Sequence, residues 1–175
     1  MPGAALRVQI RQIPDRRLPV RIAAFLTALI LPAAASAACP GKMILSCDVS
    51  QTRSLEVCLS DGAFHYRYGP KGRTDLALSA PLSSGPVEPW PGVGNNIWSK
   101  LIFRNGDYRY EVWTASSRTG NDPQSAGVAV LKGETPVTEL TCLPGRTHTP
   151  DVLFEDVMTD EGWCVNSDQK TWRRC

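Results

Sequence analysis

The stretch NNIWSKLIFRNGDYRYEVWTASS, residues 95–117, decides the fold class. Two runs of alternating character flank Asn105-Gly106. Asn-Gly between strand-like runs is the strongest short-range hairpin signal, because a type I′ turn needs two residues tolerant of positive φ. With Asn105 and Gly106 as the loop, the opposite partners are Arg104 with Asp107, Phe103 with Tyr108, Ile102 with Arg109, Leu101 with Tyr110, Lys100 with Glu111, Ser99 with Val112 and Trp98 with Trp113. Alternation then sorts the side chains into two faces. Ser99, Leu101, Phe103, Tyr108, Tyr110 and Val112 form a mostly apolar face that must turn to a core. The other face carries Arg104–Asp107 and Lys100–Glu111, opposite charges that support each other across a solvated surface. At the end away from the turn it also carries two indoles, Trp98 and Trp113.

The same period-two pattern recurs outward from this hairpin. MILSCDV (43–49) and SLEVCLS (54–60) read as strands around a polar turn, AFHYRYG (63–69) alternates aromatic with polar residues, and DLALSA (75–80) places Leu76 and Leu78 on one face. AGVAVL (126–131) is a short apolar run suited to a strand buried on both faces, and VTELTC (137–142) follows it across Lys132-Gly133-Glu134. Short strands bounded by Gly, Pro or Asn predict an all-β domain. It should be an antiparallel β-barrel or sandwich of about seven or eight short strands. One helix is expected near the C-terminus, in TPDVLFEDVM (149–158), with Thr149 as cap, Pro150 at the first helical position and Asp151 at the positive helix end.

The first 37 residues read as a cleavable secretory signal. Arg7, Arg11, Arg16, Arg17 and Arg21 precede the apolar run Ile22 to Leu31, and PAAASA (32–37) closes it with a small-residue cleavage site. The apolar run is too short for a stable membrane-spanning helix. The basic region is long for such a signal, as a start codon further into the chain would make it. Arg16-Arg17 raises a twin-arginine signal, but the Leu18-Pro19-Val20-Arg21 that follows fits ordinary secretion better. Cys39 behind small residues raises a lipid anchor. Ser36 stands where a lipobox prefers Leu, so a free chain is the preferred reading.

The whole chain carries 19 basic and 17 acidic residues. Residues 1–37 hold five Arg and one Asp, which leaves 14 basic against 16 acidic and a net charge of −2 on residues 38–175. That remainder is one domain's worth of chain, and it has no basic stripe of the kind that binds nucleic acid. All six cysteines, at 39, 47, 58, 142, 164 and 175, fall within it. An even count in an exported chain argues for disulfides, and six cysteines allow about 15 connectivities. Cys164–Cys175 is the expected short loop, and Cys142 is expected to return to Cys47 or Cys58. No closely spaced pair resembles a zinc-ligand motif, so no metal is expected.

The search for chemistry gives little. A nucleophile needs a base close by. His65 and His148 are the two histidines, and neither sits in a serine or cysteine motif. The acidic run FEDVMTDEGW (154–163) offers Glu155, Asp156, Asp160 and Glu161, but its spacing matches no calcium loop, and a solvated acidic face is the default for such a run. GPKGR (69–73) lacks the spacing and the strand–helix setting of a phosphate loop and reads as a hairpin turn. No cofactor is expected. Long loops in compact domains are usually functional or disordered, and PLSSGPVEPWPGVGNN (81–96) is long and rich in Pro and Gly. It enters beside Trp98 and Trp113 and contains Trp90. A loop folded back over the indoles would make an ordinary second cluster. Left open, Trp90, Trp98 and Trp113 with Asn95 and Asn96 would form a platform for a sugar ring or a partner protein.

CLSDGAFHYRYGPKGRTDLALSAPL, FRNGDYRYEVW and AGVAVLKG…VTELTC together resemble a group of small secreted proteins of Gram-negative bacteria, over about residues 47–142. The resemblance implies an exported β-domain and transfers no site residue. The architecture is also loosely similar to periplasmic inhibitors of C-type lysozyme. Their Ser/Gly-rich inhibitory loop has no counterpart here beyond GVGNN (92–96). The expectation is a periplasmic or secreted, non-enzymatic domain that binds an envelope protein or glycan. A hydrolase using His65 or His148, and a structural envelope component without a small ligand, are the alternatives.

Overall fold

The computed structural model describes residues 39, 41–120, 124–148, 153–166 and 171–175, all within one compact unit, Ala35–Cys175. The signal read over residues 1–37 lies outside them. Two five-stranded antiparallel sheets dominate. The first holds β1 (Lys42–Asp48), β2 (Arg53–Ser60), β3 (Ala63–Pro70), β4 (Leu76–Pro81) and the two-residue β10 (Thr147–His148), in the order β10-β1-β2-β3-β4. The second holds β5 (Val87–Glu88), β6 (Asn96–Asn105), β7 (Tyr108–Ser117), β8 (Ser125–Lys132) and β9 (Thr135–Thr141), in sequence order. A separate hairpin, β11 (Trp163–Asn166) with β12 (Thr171–Arg174), ends the chain. The described residues therefore form more strands than the alternation alone marks, because β5 and β10 are two-residue pairings and β11 and β12 lie in the polar tail.

Alternation dictates what is buried. Leu55 and Val57 of β2, Phe64 and Tyr66 of β3, Leu101 and Phe103 of β6, Val112 of β7 and Val128 of β8 are all within one core. That core lies between the sheets: the Tyr66 ring centroid is 5.4 Å from Phe103 and 6.0 Å from Tyr110. Burial pushes the Tyr66 phenol well above its ordinary pKa, with Tyr68 and Tyr110 adding to the shift. Each fully buried large aliphatic or aromatic side chain contributes about 1.5–3 kcal/mol. Among the described residues no ladder closes the sheets into a barrel. The architecture is a sandwich.

The chain changes sheet at both edges. At one, a short 3₁₀ turn, Leu82–Ser84, leads from β4 to β5. At the other, the chain leaves β9 and pairs as β10 against β1. There the Leu143 amide donates to the Asp48 carbonyl at 2.7 Å, and the Asp48 amide donates to the Arg146 carbonyl at 3.1 Å. Cys47–Cys142 locks this crossing across 95 residues, a loop length for which cross-linking stabilises by about 4–5 kcal/mol. Cys39–Cys58 and Cys164–Cys175 complete three disulfides. The expected Cys164–Cys175 link is present, and of the two partners foreseen for Cys142 it is Cys47.

The central hairpin keeps the expected faces but not the expected register. Asn105 pairs with Tyr108, Leu101 with Val112 and Lys100 with Trp113. Each β6 residue thus meets a partner two positions further along β7 than a type I′ loop at Asn105-Gly106 assigns. The loop is Gly106-Asp107. Gly106 has φ 58° while Asp107 keeps a negative φ, the pattern of a type II′ turn with glycine first. A two-residue slip leaves every side chain on its own face, so the hydrophobic pattern is blind to it. The third strand favours the longer ladder: the Asp107 carbonyl accepts from the Gly133 amide at 3.0 Å. The type I′ geometry occurs instead at Asp61 (φ 50°) and Gly62 (φ 69°), between β2 and β3.

The helix α1, Phe154–Asp160, begins later than the sequence suggests. The caps read at Thr149, Pro150 and Asp151 lie outside the described residues. The Asp156 carboxylate accepts from the Leu153 amide at 3.1 Å, and Glu155 and Asp156 sit in the first turn, where negative charge is favoured. Phe154, Val157 and Met158 are its buried face, with Phe154 edge-on to Phe64 at 6.3 Å. The terminal hairpin docks through Trp172, whose Nε1 donates to the Val87 carbonyl at 2.7 Å.

Candidate functional site

The outward face of the second sheet carries the two indoles. Even positions of β6 and odd positions of β7 point away from the core, because Ser99, Leu101, Phe103, Val112 and Thr114 fill the inward ones. Trp98 and Trp113 are both half-buried. They are not directly opposite each other: Trp98 faces Ala115, and Trp113 lies between Lys100 on β6 and Gly127 on β8. The pair is therefore a diagonal across adjacent strands.

Gly127 explains how Trp113 lies. A Cβ on residue 127 would stand 2.7 Å from Trp113 Cζ2 and 2.9 Å from Cε2. The indole thus rests over the glycine, its Cζ2–Cε2 bond nearest the backbone. Its Nε1 is shielded from solvent and has no protein acceptor. This glycine sits in the apolar run of β8, and an isolated glycine inside a strand signals close approach by another group. That signal was available in the sequence.

Around the indoles lies a shallow depression of ≈ 540 Å³, bordered by Asn96, Lys100, Glu111, Ala129 and Glu139. Its charges largely cancel. Lys100 Nζ is 3.3 Å from Glu111 and 3.9 Å from Glu88, and it also stands 5.5 Å from the Trp98 ring centroid, within cation–π range. Arg109 stands directly opposite Arg104. It is drawn to Glu111 at 2.8 Å and Glu134 at 3.1 Å. The Glu134 hydrogen bond, with Glu111, raises the Arg109 pKa further against an opposing desolvation. Lys100–Glu111 forms as a diagonal contact even though the register places neither opposite the other. Among the described residues Glu139 makes no ion pair.

Trp90 is elsewhere. It does not border the depression that holds Trp98 and Trp113. Trp90 Nε1 donates to the Val93 carbonyl at 2.9 Å, and the Trp90 amide donates to Glu155 Oε2 at 3.2 Å. Arg118 fixes the loop from the end of β7. Its guanidinium is 5.3 Å from the Trp90 ring centroid, its Nη1 donates to the Gly94 carbonyl at 3.2 Å, and its amide donates to the Asn95 carbonyl at 3.0 Å. Nothing in the spacing of Arg118 from the loop marks it for this role. Asn95 and Asn96 are exposed and border a second, polar hollow of ≈ 520 Å³ with Arg118 and Thr119. Asn96 borders both hollows.

The titratable groups considered for catalysis are dispersed. His65 Nε2 lies 3.4 Å from the Ser60 carbonyl on the outer face of the first sheet, and His148 is exposed on β10. Among the described residues no histidine forms an ion pair with a carboxylate, and no group of three or more His, Cys, Asp or Glu is placed to hold a metal. Glu155 is half-buried beside the Ser99 hydroxyl. Desolvation raises its pKa against the opposing hydrogen bond from the Trp90 amide. Asp160 and Glu161 are exposed. Residues 69–73 run from the end of β3 into the turn toward β4, where the Arg73 amide donates to the Pro70 carbonyl at 2.9 Å, as their composition suggests. No helix among the described residues is long and apolar enough to cross a membrane.

Comparison with protein-family models, with curated proteins and with solved structures found no match to this chain.

Proposed function

We propose that this protein is an exported, non-enzymatic β-domain of the periplasm or the secreted fraction. It binds a component of the cell envelope through the outward face of β6 and β7. The observation that carries this reading is Trp113 lying over Gly127 with Trp98 on its diagonal. Folding the sandwich does not require two large aromatic rings on the solvent side, where Lys100, Arg109 and Glu111 form charge pairs. Half-buried aromatic residues beside polar side chains are the composition of binding hot spots. The three disulfides suit an oxidising compartment.

The ligand class this face serves is an envelope glycan or an envelope protein, a lysozyme among them. A thermal-shift panel of lysozymes and peptidoglycan fragments tests the reading. A ligand at 100 times its Kd stabilises the native state by about 2.7 kcal/mol, so the melting temperature should rise by several degrees. Trp98→Ala should remove that rise while His65→Ala and His148→Ala keep it. Turnover of a substrate that is lost with either histidine would sink the non-enzymatic reading, and a flat panel would sink the binding site.

A further inference from the structure

We infer that the site takes a neutral oligosaccharide chain, held by an aromatic subsite at Trp98 and Trp113 and a polar subsite at Asn95 and Asn96. The inference rests on the binding face proposed above and narrows its ligand.

Three observations carry it. The first is the attitude of Trp113. With its Cζ2–Cε2 bond over Gly127 and its Nε1 turned out of solvent, the part of the indole that borders the depression is carbon. A flat aromatic face matches the C–H face of a pyranose ring, which is itself flat and weakly apolar. The hydroxyls around the edge of such a ring need acceptors and donors at the rim. Glu111, Glu139 and Asn96 stand there.

The second observation is charge. Lys100, the cation bordering the aromatic depression, is engaged by carboxylates within 4 Å, and Arg118 at the polar hollow is held by the Gly94 carbonyl and the Trp90 ring, so the aromatic depression offers no unpaired cation to an anionic polymer. A single unpaired carboxylate, Glu139, does not make a polycation site. The electrostatic complement of this face is a neutral, hydroxyl-rich ligand.

The third is continuity. The polar hollow meets the aromatic one at Asn96. Together they follow the β6–β7 pair from Lys100 to the strand ends at Asn96 and Ser117, about 13 Å at the rise of a β-strand. A single ring would fill one hollow and leave the other to solvent. A chain fills both. Carboxamides at Asn95 and Asn96 can each donate and accept, which suits an acetamido substituent on a ring next to the stacked one.

The test is a titration of the disulfide-bonded protein with β-linked N-acetylglucosamine oligomers, from the monosaccharide to the hexamer. Cello-oligosaccharides serve as the series without acetamido groups. The readout is the indole N–H resonances of the ¹⁵N-labelled protein, assigned with Trp98→Ala and Trp113→Phe. Trp113→Phe keeps a ring over Gly127, so it reports on the site without uncovering the sheet. The Trp98 and Trp113 signals should move while those of Trp163 and Trp172 stay. Affinity should rise roughly tenfold or more from monosaccharide to tetramer, equivalent to one or two net hydrogen bonds in the second hollow. Asn95→Ala, at a residue that borders the polar hollow alone, should remove most of that gain. Sugar binding with no dependence on length overturns the two-subsite inference and leaves the binding face standing. The same indoles moving only with an envelope protein also overturns it. Signals that ignore sugars, lysozymes and peptidoglycan fragments alike overturn both.

Discussion

Replacing Gly127 with alanine tests the packing on which the binding face depends. Gly127 has ordinary extended backbone, so alanine meets no φ penalty there. The effect comes from contact alone. The new methyl would stand 2.7 Å from Trp113 Cζ2 and 2.5 Å from the Leu140 carbonyl oxygen. The indole can tilt, but the carbonyl belongs to the β8–β9 ladder and can move only by straining it. Overpacking typically costs about 1–3 kcal/mol, and a backbone neighbour puts this site in the upper part of that range, roughly 2–3 kcal/mol. For a domain of this size that lowers Tm by on the order of 6–12 °C. The assay is thermal unfolding followed by near-ultraviolet circular dichroism, with the Trp113 indole signal as a local probe. Trp113→Ala should relieve part of the strain, so Gly127→Ala should cost less in that background, with a coupling of about 0.5–2 kcal/mol. An unchanged Tm, or equal costs in the two backgrounds, would refute the placement of the indole over the glycine.

Four further outcomes follow from the same geometry. Gly106→Ala should destabilise by about 1–2 kcal/mol, because residue 106 needs a left-handed backbone, whereas Asn105→Thr should be nearly neutral by urea unfolding. A large loss at Asn105 instead would restore the type I′ register. Removing Cys47–Cys142 by paired alanine substitution should cost about 2–5 kcal/mol, and more than removing Cys164–Cys175, whose loop is 11 residues; equal losses would contradict the role given to the sheet crossing. Trp172→Ala should cost roughly 2–4 kcal/mol and release the terminal hairpin, seen as faster amide exchange over residues 163–166. Desolvation raises the Glu155 carboxyl, so its protonated form is the one the fold favours. Relative to Glu155→Gln, the wild type should gain stability as pH falls through the window between that raised value and the ordinary one near about 4.3. Urea unfolding of both proteins at neutral and mildly acidic pH reads the difference, and a gain toward high pH instead would mean that the carboxylate is held charged.

The sequence made the faces of the sheet legible and left the partners illegible, for one physical reason. Side-chain period in a strand is two, so burial fixes which face Leu101, Phe103 and Val112 occupy but cannot tell a register from one displaced by two residues. The tie was broken by the turn after β8, whose Gly133 amide reaches Asp107, and no reading of the hairpin alone includes that segment. Trp98 and Trp113 were correctly placed on the outer face for the same reason, and wrongly placed opposite each other. Gly127 was readable as a close approach, but what approached it depended on the register. Trp90 was grouped with the other indoles by proximity in sequence. Arg118, far from the loop in the chain, holds it instead beside α1. Short two-residue strands such as β5 and β10 leave no periodic trace, so the edges where the chain changes sheet were invisible.

Cys39 forms a disulfide with Cys58, and Cys58 is fully buried on β2. The same cysteine is the one that a lipid-attachment signal would modify, through a thioether at Sγ. A sulfur already bonded to a second sulfur has no valence left for that bond. Residue 39 can therefore clasp the start of the domain to β2 or carry a lipid, but it cannot do both. Mass measurement of the isolated protein separates the two states directly: the clasped one shows six cysteines oxidised and no acyl mass. In the clasped state, any attachment of this domain to a membrane would have to be made through some other atom.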